Sequence, residues 1–462
     1  MISLGCAKNL VDGEVMLGHL VDSGLDVTAD AGEADVIIVN TCGFITAAKE
    51  ESIATILELA QARRSGRIKR LIVAGCMVQA YAEDLAREIP EIDTFCGLDE
   101  LETIVEAVRG ERLHHVPDQR AALKVYDSRQ PRLVSTGAFA YLKVSEGCDN
   151  PCAFCHIPAM RGRYRSRTPE DVIAEAKRLE ETGIKEIVLI AQDTTRYGED
   201  LGIDHGLVRL VEALLRETRV PWIRFMYAYP STLDRGLFRL MAVESRFVPY
   251  LDIPLQHASR KVLKLMRRGG DAEGYAALIR EARESVPDLT VRTTMMVGFP
   301  GEGPEEFEEL LAFVEELRFD HLGVFTYSWQ EENPGAELGD PVSEAVKVQR
   351  RDRLMEVQAS IALEKNRTLV GRRLQALVCG PLAEMDLLTE GRLARQAPET
   401  DGRLIINDGS APAGSLVEAE ITEAHPYDII GRIVRVIEEP SANTTSARIA
   451  GDGGEDGHAN RS

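Results

Sequence analysis

Short apolar runs alternate with amphipathic stretches along most of this chain. Over residues 1–110, Met1-Ile2-Ser3-Leu4, the run from Asp35 to Asn40 and the run from Arg70 to Ala74 predict strands. Helical patterns separate them, for example Ala47 to Ala62, where Ile53, Ile56, Leu57 and Ala60 are spaced to share one face. Such alternation predicts a doubly wound α/β domain on a parallel sheet. Residues 111–138 lose the periodicity and carry Pro117 and Pro131, so they are expected to connect. A second alternating series fills 139–340, with strands expected at Ala138 to Val144, Glu186 to Ala191, Trp222 to Tyr227, Tyr250 to Ile253, Leu289 to Val297 and Leu322 to Tyr327. Six repeats are too few for the usual eight-stranded barrel and predict an open, partial (βα)6 one. Residues 341–365 read as a connecting helix. Over 366–437, short runs such as Leu374 to Val378, Leu404 to Ile406, Leu416 to Ile421 and Ile430 to Val436, separated by turn residues, predict a small antiparallel β-barrel. In 438–462 Ser, Asn, Thr, Gly and acidic residues dominate, and disorder is expected.

Cysteine placement turns this architecture toward chemistry. Cys148, Cys152 and Cys155 lie within eight residues, just after the first barrel strand, where one loop can present all three to a single inorganic object. A 4Fe-4S cluster normally takes four thiolates, so a loop offering three leaves one iron open to a small molecule, as a catalytic zinc keeps an open position. A zinc knuckle completed by His156 is the alternative. In the first domain each of three strands is followed by a cysteine, Cys6, Cys42 and Cys76. These are distant in sequence, but ligands of open parallel sheets bind beyond the carboxyl ends of the strands, so the topology makes a second three-thiol site. The competing reading is three buried core thiols. Cys96 follows a weaker apolar stretch and reads as structural; Cys379 reads as barrel core.

Polar or glycine-rich residues follow the other barrel strands too: Gln192 and Asp193, Tyr229 and Pro230, Gln256 and His257, Gly298-Phe299-Pro300-Gly301-Glu302, and Ser328. The glycine turn lacks the Lys-Ser/Thr of a phosphate loop and also reads as a plain strand-to-helix connection. His257 alone reads as structural. Arg161, Arg163, Arg165 and Arg167 alternate, so in an extended segment they would share a face, either solvated or contacting a carboxylate or substrate.

Composition narrows the partner class. The 462 residues allow roughly two to four domains. No apolar run reaches membrane-spanning length and no signal peptide is expected, which points to the cytoplasm. Eight cysteines are too sparse for a secreted disulfide scaffold. A formal net charge of -21 argues against general affinity for nucleic acid and fits a basic partner, or simply solubility.

The order Cys148-x3-Cys152-x2-Cys155, with Phe154 before the third thiol, resembles the radical S-adenosylmethionine (SAM) superfamily. With the second trio and the final barrel, residues 1–437 resemble the methylthiotransferase family within it, whose last domain is called TRAM. Ser3-Leu4-Gly5-Cys6-Ala7-Lys8-Asn9-Leu10-Val11-Asp12, Asn40-Thr41-Cys42-Gly43-Phe44-Ile45, the loop from Ser145 to Arg167, and Gln192-Asp193-Thr194-Thr195-Arg196-Tyr197-Gly198 are similar to the branch that modifies small-subunit ribosomal protein 12. The transfer-RNA branch typically carries a Gln-Asn-Val-Asn-type segment at Gln192. Departures are the short lead before Cys6, which implies either a short first strand or a start placed too far downstream, Gly13 in place of serine, and Asn333-Pro334-Gly335 in place of Gly-Thr after Glu331 and Glu332.

The resemblance implies two 4Fe-4S clusters, one on Cys148, Cys152 and Cys155 and an auxiliary one on Cys6, Cys42 and Cys76. One SAM would serve as radical source and another as methyl donor. The product would be an aspartate methylthiolated at its β-carbon in ribosomal protein 12. Phe154, Gln192, Asp193, Gly298 and Pro300 are the expected cofactor-binding positions, and no side chain is nominated as an acid or base. An electron donor and a sulfur donor are implied partners, with no membrane and no nucleic acid needed for substrate choice. A transfer-RNA adenosine methylthiotransferase and a non-catalytic metal module are the competing functions.

Overall fold

The first apolar runs form one parallel sheet, with Ile2–Ser3, Val36–Thr41, Arg70–Gly75, Thr94–Cys96 and His114–His115 adjacent in that order. The computed structural model describes residues 1–99, 101–111, 114–116, 124–383, 385–440 and 448–449. Helices Thr46–Arg64 and Cys76–Glu88 share a core with Ile37, Val39, Leu71, Val73 and Phe95. Ile38 and Ile72, pointing the other way, are equally buried, so the sheet is covered on both faces. Each fully buried aliphatic side chain of this kind contributes roughly 1.5–3 kcal/mol, which holds the strand ends in fixed register. That register sets Ser3 beside Asn40 and Thr41 beside Gly75, so the segments bearing Cys6, Cys42 and Cys76 leave along one edge.

The described residues fall into two compact units: Met1–Ser135 with Glu170–Arg178 and the Arg448–Ile449 pair, and Thr136–Pro169 with 179–440. In the first, Arg132 is buried between Glu14, at 2.6 Å, and Glu175, at 2.7 Å. In the second, Phe139–Lys143, Glu186–Ile190 and Trp222–Phe225 make one three-stranded parallel sheet, and Tyr250–Asp252, Thr290–Val297 and His321–Thr326 another. Bonds from the Ala228 N–H to the Asp252 carbonyl oxygen (3.0 Å) and from the Tyr227 N–H to Asp252 Oδ2 (2.8 Å) join them into a partial barrel.

Helix Glu344–Arg367 leads to a closed five-stranded barrel in the order Arg373–Leu382, Met385–Leu393, Leu404–Asp408, Ile429–Glu438, Leu416–Ala424. Its segment 392–401 stands across the amino-terminal ends of the partial-barrel strands. Glu186, fully buried, is paired with both Arg224 and Arg392. Arg224 also donates to the Ala394 carbonyl oxygen at 2.9 Å, Tyr141 Oη to Glu399 Oε2 at 3.0 Å, and Tyr250 Oη to Asp401 Oδ2 at 2.6 Å.

Several expectations need correction. In Thr46–Arg64 the buried stripe is Ser52, Ile56, Leu59, Ala60 and Ala62, while Ile53 and Leu57 are exposed, because the sheet lies about one residue further round the helix than the apolar count suggests. The terminal barrel is not wholly antiparallel: Leu404–Asp408 and Ile429–Glu438 run parallel. It also contains Met385–Leu393, a strand whose sequence lacks period-two alternation. Cys379 is exposed, not core, since a register shift between Val378 and Gly380 turns it outward. Within the stretch expected to connect, His114–His115 joins the first sheet and Arg132–Leu133 pairs with Arg448–Ile449, a pair inside the tail expected to be disordered. Pro117 and the remainder of 441–462 lie outside the described residues.

Candidate active site

The cysteine loop is shaped by its first residue. Ser145–Glu146 pairs antiparallel with Arg165–Ser166, and the Cys148 N–H donates to the Gly162 carbonyl oxygen at 3.2 Å. Gly147 turns between them at φ 78, and a Cβ there would lie 2.1 Å from the Arg163 carbonyl oxygen, so only glycine fits. Further along, the Ala153 N–H donates to the Met266 carbonyl oxygen (2.9 Å) and the Ala153 oxygen accepts from the Gly335 N–H (2.8 Å). A Cβ on Gly335 would sit 2.8 Å from that of Ala153, so glycine in Asn333-Pro334-Gly335 permits this close brace.

Cys148 and Cys152 are buried and Cys155 half-buried. The Asn150 N–H points at Cys148 Sγ (3.4 Å) and Arg268 Nη1 at Cys152 Sγ (3.6 Å). Burial pushes the Cys148 thiol up to about 11, with Asp193 and Cys152 adding to it against the Asn150 N–H. Burial, then Cys152, pushes Cys155 up to about 12. Cys148 and Cys155 both feel the neighbouring Cys152, and N–H donors already aim at the Cys148 and Cys152 sulfurs, an arrangement that fits a group which displaces thiol protons on binding. Among the described residues no three Cys, His, Asp or Glu side chains gather at the spacing of a single ion. A four-iron cluster spreads its ligands wider than one ion does. His156 instead engages the Glu332 carbonyl oxygen through Nδ1 at 2.9 Å, so the zinc-knuckle reading gains no fourth ligand from this geometry.

Side chains from the neighbouring strand ends reach the same loop. Gln192 Nε2 donates to Glu146 Oε1 (2.6 Å) while its own Oε1 is buried with no hydrogen-bond partner among the described residues. Asp193 accepts from Asn150 Nδ2 (2.8 Å) and Thr195 Oγ1 (2.7 Å). Burial raises the Asp193 pKa against those two bonds. Burial would also raise that of Glu146, but Arg161 and Lys143 overcome it and hold the carboxyl well below the usual carboxylate range. Phe154 meets Phe299 edge-on at 6.3 Å, and Phe299 meets Tyr327 at 4.9 Å, an aromatic wall beside the thiols.

Gly298 (φ 78) has no room for a side chain because Lys347 Cγ would lie 2.3 Å from its Cβ, so packing already explains this glycine. Pro300 is buried in the same turn. Glu302 ties the turn down, accepting from the Gly298 N–H (2.9 Å) and Arg350 Nη1 (2.6 Å). His257 Nδ1 accepts the Ser259 N–H at 2.9 Å, which leaves the proton on Nε2, 3.2 Å from Glu302 Oε2. The histidine is thus a fully buried structural tie. The alternating arginines do not share a face, because Gly162 (φ 73) breaks the extended run. Arg161 is buried on Glu146 (3.0 Å), Arg167 is buried and donates to the Lys143 carbonyl oxygen (2.9 Å), and Arg163 is exposed.

In the first unit the three cysteine loops abut. A Cβ on Gly5 (φ 95) would lie 2.7 Å from Cys42 Cβ, and one on Gly43 would lie 3.0 Å from Met77 Cα. Cys42 and Cys76 are buried and Cys6 is exposed. Cys6 caps helix Ala7–Asp22 and Cys76 opens Cys76–Glu88, so both sulfurs sit where free N–H groups favour negative charge. Asn9 Nδ2 donates to the carbonyl oxygens of Leu4 (2.7 Å), Thr41 (3.2 Å) and Asn40 (3.3 Å), and Asn40 Nδ2 returns a bond to the Asn9 oxygen at 2.7 Å. Cys96 is buried in the sheet opposite Ala74. Glu146, Arg268 and the bracing role of Asn9 escaped sequence reasoning. Only the Arg267-Arg268-Gly269-Gly270 cluster hinted at one of them.

Residues 142–314 match the Radical SAM superfamily, residues 1–97 the Uncharacterized protein family UPF0004, and residues 370–434 the TRAM domain. A solved structure of a radical S-adenosylmethionine methyltransferase, TsrM, from Kitasatospora setae, with cobalamin and a 4Fe-4S cluster bound, superposes with TM-score 0.54 at 17% identity, over 72% of this chain and 74% of that one, a likeness of fold. The partial barrel and its thiol loop therefore belong to a radical SAM enzyme, carrying a TRAM domain. Curated relatives called ribosomal protein uS12 methylthiotransferase RimO are 47% identical in Solibacter usitatus, over 94% of each chain, and 48% identical in an Anaeromyxobacter species, over 94% of this chain and 92% of that one. The chain belongs to that RimO family of methylthiotransferases.

Proposed function

We infer that this chain transfers a methylthio group to the β-carbon of an aspartate in ribosomal protein uS12. Cys148, Cys152 and Cys155 would hold one 4Fe-4S cluster, and Cys6, Cys42 and Cys76 an auxiliary one. Bound there, the clusters and SAM supply the one-electron chemistry and the sulfur and methyl groups that no side chain provides. The observation that carries this reading is the Cys148 to Cys155 loop, its thiols supplied with N–H donors at the carboxyl edge of a partial barrel, in a chain 47% identical over 94% of its length to a uS12 methylthiotransferase.

The chain's own side chains bind and orient. Glu146, held ionised by Lys143 (2.6 Å) and Arg161, fixes Gln192. Gln192, with its unpartnered Oε1, and Asp193 face the cluster loop as SAM-positioning groups. Phe154, Phe299 and Pro300 exclude water, and Gly298 lets that turn close. The domains run 1–110, 139–340 and 366–437, joined by 341–365 and by 111–138, the latter also lending the His114–His115 strand to the first sheet. No helix among the described residues is long and apolar enough to cross a membrane; the substrate places the enzyme with cytoplasmic ribosomes. An electron donor and a sulfur donor complete the cycle, and nucleic acid plays no part in choosing the substrate. The transfer-RNA reading is not favoured, since the relatives named above carry the ribosomal-protein name.

Anaerobic reconstitution, with iron and sulfide counted in wild type, Cys42→Ala and Cys152→Ala, tests the assignment. Each variant is expected to keep about half the iron, and only wild type should thiomethylate purified uS12. A Cys42→Ala chain with full iron, or thiomethylation of transfer RNA with uS12 untouched, overturns it.

A further inference from the structure

The guanidinium of Arg268 is buried with 8% of its residue surface exposed, yet only part of its bonding capacity is used. Nη1 points at Cys152 Sγ (3.6 Å), Nη2 donates to the Pro254 carbonyl oxygen (2.7 Å), and Nε is buried with no hydrogen-bond partner among the described residues. The group lies over the Tyr229 ring at 4.3 Å, which holds a cation without neutralising it. No carboxylate is within ion-pair distance of it among the described residues; Asp193, whose charge it feels, bonds instead to Asn150 and Thr195. A permanent cation is therefore kept beside one sulfur of the Cys148 to Cys155 loop, and that loop's backbone is tied to the same turn by the Ala153 N–H on the Met266 oxygen.

We propose that Arg268 is a positioning residue that sets the reduction potential of the cluster on Cys148, Cys152 and Cys155, by placing a fixed positive charge and an N–H bond on the Cys152 thiolate. This rests on the cluster assignment above. One electron added to a cluster adds one negative charge, and hydrogen bonds to its sulfurs and nearby charge are what shift its potential. In a buried setting screening is weak, so one cation at this range favours the reduced form by about tenfold or more. The electron comes from an external low-potential reductant, and Arg268 gains and loses nothing. Its task is to make the cluster easier to reduce than burial alone would leave it.

The test is a dithionite redox titration followed by electron paramagnetic resonance. It uses full-length protein in which Cys6, Cys42 and Cys76 are replaced by alanine, so that one cluster reports. Arg268→Gln should keep its iron but lower the potential by at least the 59 mV that a tenfold change in a one-electron equilibrium represents, and Arg268→Lys should fall between. Equal potentials in all three chains overturn the proposal and leave Arg268 a packing residue. Should Arg268→Gln not hold iron, Arg268→Lys is decisive: its shorter side chain carries a strongly hydrated point charge and lacks the planar fork that reaches Pro254 and Cys152 together, so about a threefold loss is expected, and equality with wild type refutes the idea. If the background chain with Arg268 intact binds no iron, the cluster assignment itself fails, an outcome distinct from an unchanged potential.

Discussion

Replacing Gly147 by alanine puts one methyl group where the chain has no space for it. The new Cβ would lie 2.1 Å from the Arg163 carbonyl oxygen and 2.6 Å from both the Arg163 carbon and the Gly162 oxygen. These are backbone atoms, and the Gly162 oxygen also receives the Cys148 N–H at 3.2 Å, so they cannot yield without moving the first thiol. The left-handed φ of 78 adds about 1–2 kcal/mol for an L side chain, and forcing a methyl into filled space about 1–3 kcal/mol, so the loss should be roughly 2–5 kcal/mol. Gly137 is the control. It has φ 73 but nothing within 4 Å of where a methyl would sit, so Gly137→Ala should show only the backbone cost of about 1–2 kcal/mol. Urea unfolding of the iron-free chains, followed by circular dichroism, measures the difference. After reconstitution Gly147→Ala should hold about half the wild-type iron and Gly137→Ala all of it. Equal midpoints for the two variants, or full iron in Gly147→Ala, would refute the claim that this glycine sets the cysteine loop.

Glu146→Gln should cost about 3–5 kcal/mol at pH 7, because Lys143 and Arg161 lose their buried anion. The folded carboxyl titrates well below its unfolded value of about 4.3, so its contribution is complete above that pH and fades as pH falls further; the gap between the urea midpoints of the two chains should hold down to about pH 4 and narrow steadily below it, and a constant gap counts against it. Arg392→Ala leaves Glu186 buried with Arg224 alone and should cost about 3–5 kcal/mol, seen as release of the terminal barrel in limited proteolysis. Capture of basic uS12 by a chain of net charge -21 should weaken as salt rises, and salt-independent binding in a pull-down series would dismiss electrostatic steering.

Strand positions and the polar residues that follow them were legible in the sequence because both are local: a run such as Glu186 to Ile190 is apolar enough to be buried on both faces, and Gln192 and Asp193 come directly after it. The braces were not legible, because their meaning lies in distant partners. Glu146 becomes a hub only once Arg161 and Gln192 are folded onto it, and Arg268 reaches Cys152 across 116 positions. Apolar counting placed Ile53 and Leu57 on the inner face of their helix because it weighs hydrophobicity alone, whereas the sheet selects Ser52, which bonds to both the N–H and the carbonyl oxygen of Cys42 at 3.2 Å. Alternation misled for Arg161 to Arg167, since one glycine with positive φ cancels the period.

Segment 392–401 gives the partial barrel a floor. With Tyr141, Arg224 and Tyr250 all bonded to that segment, the amino-terminal ends of three of the barrel strands are stopped, while the cysteine rim at the opposite ends is left uncovered by it. A polypeptide visitor cannot pass lengthwise beyond those three strand ends, which act as a backstop beneath the thiol loop.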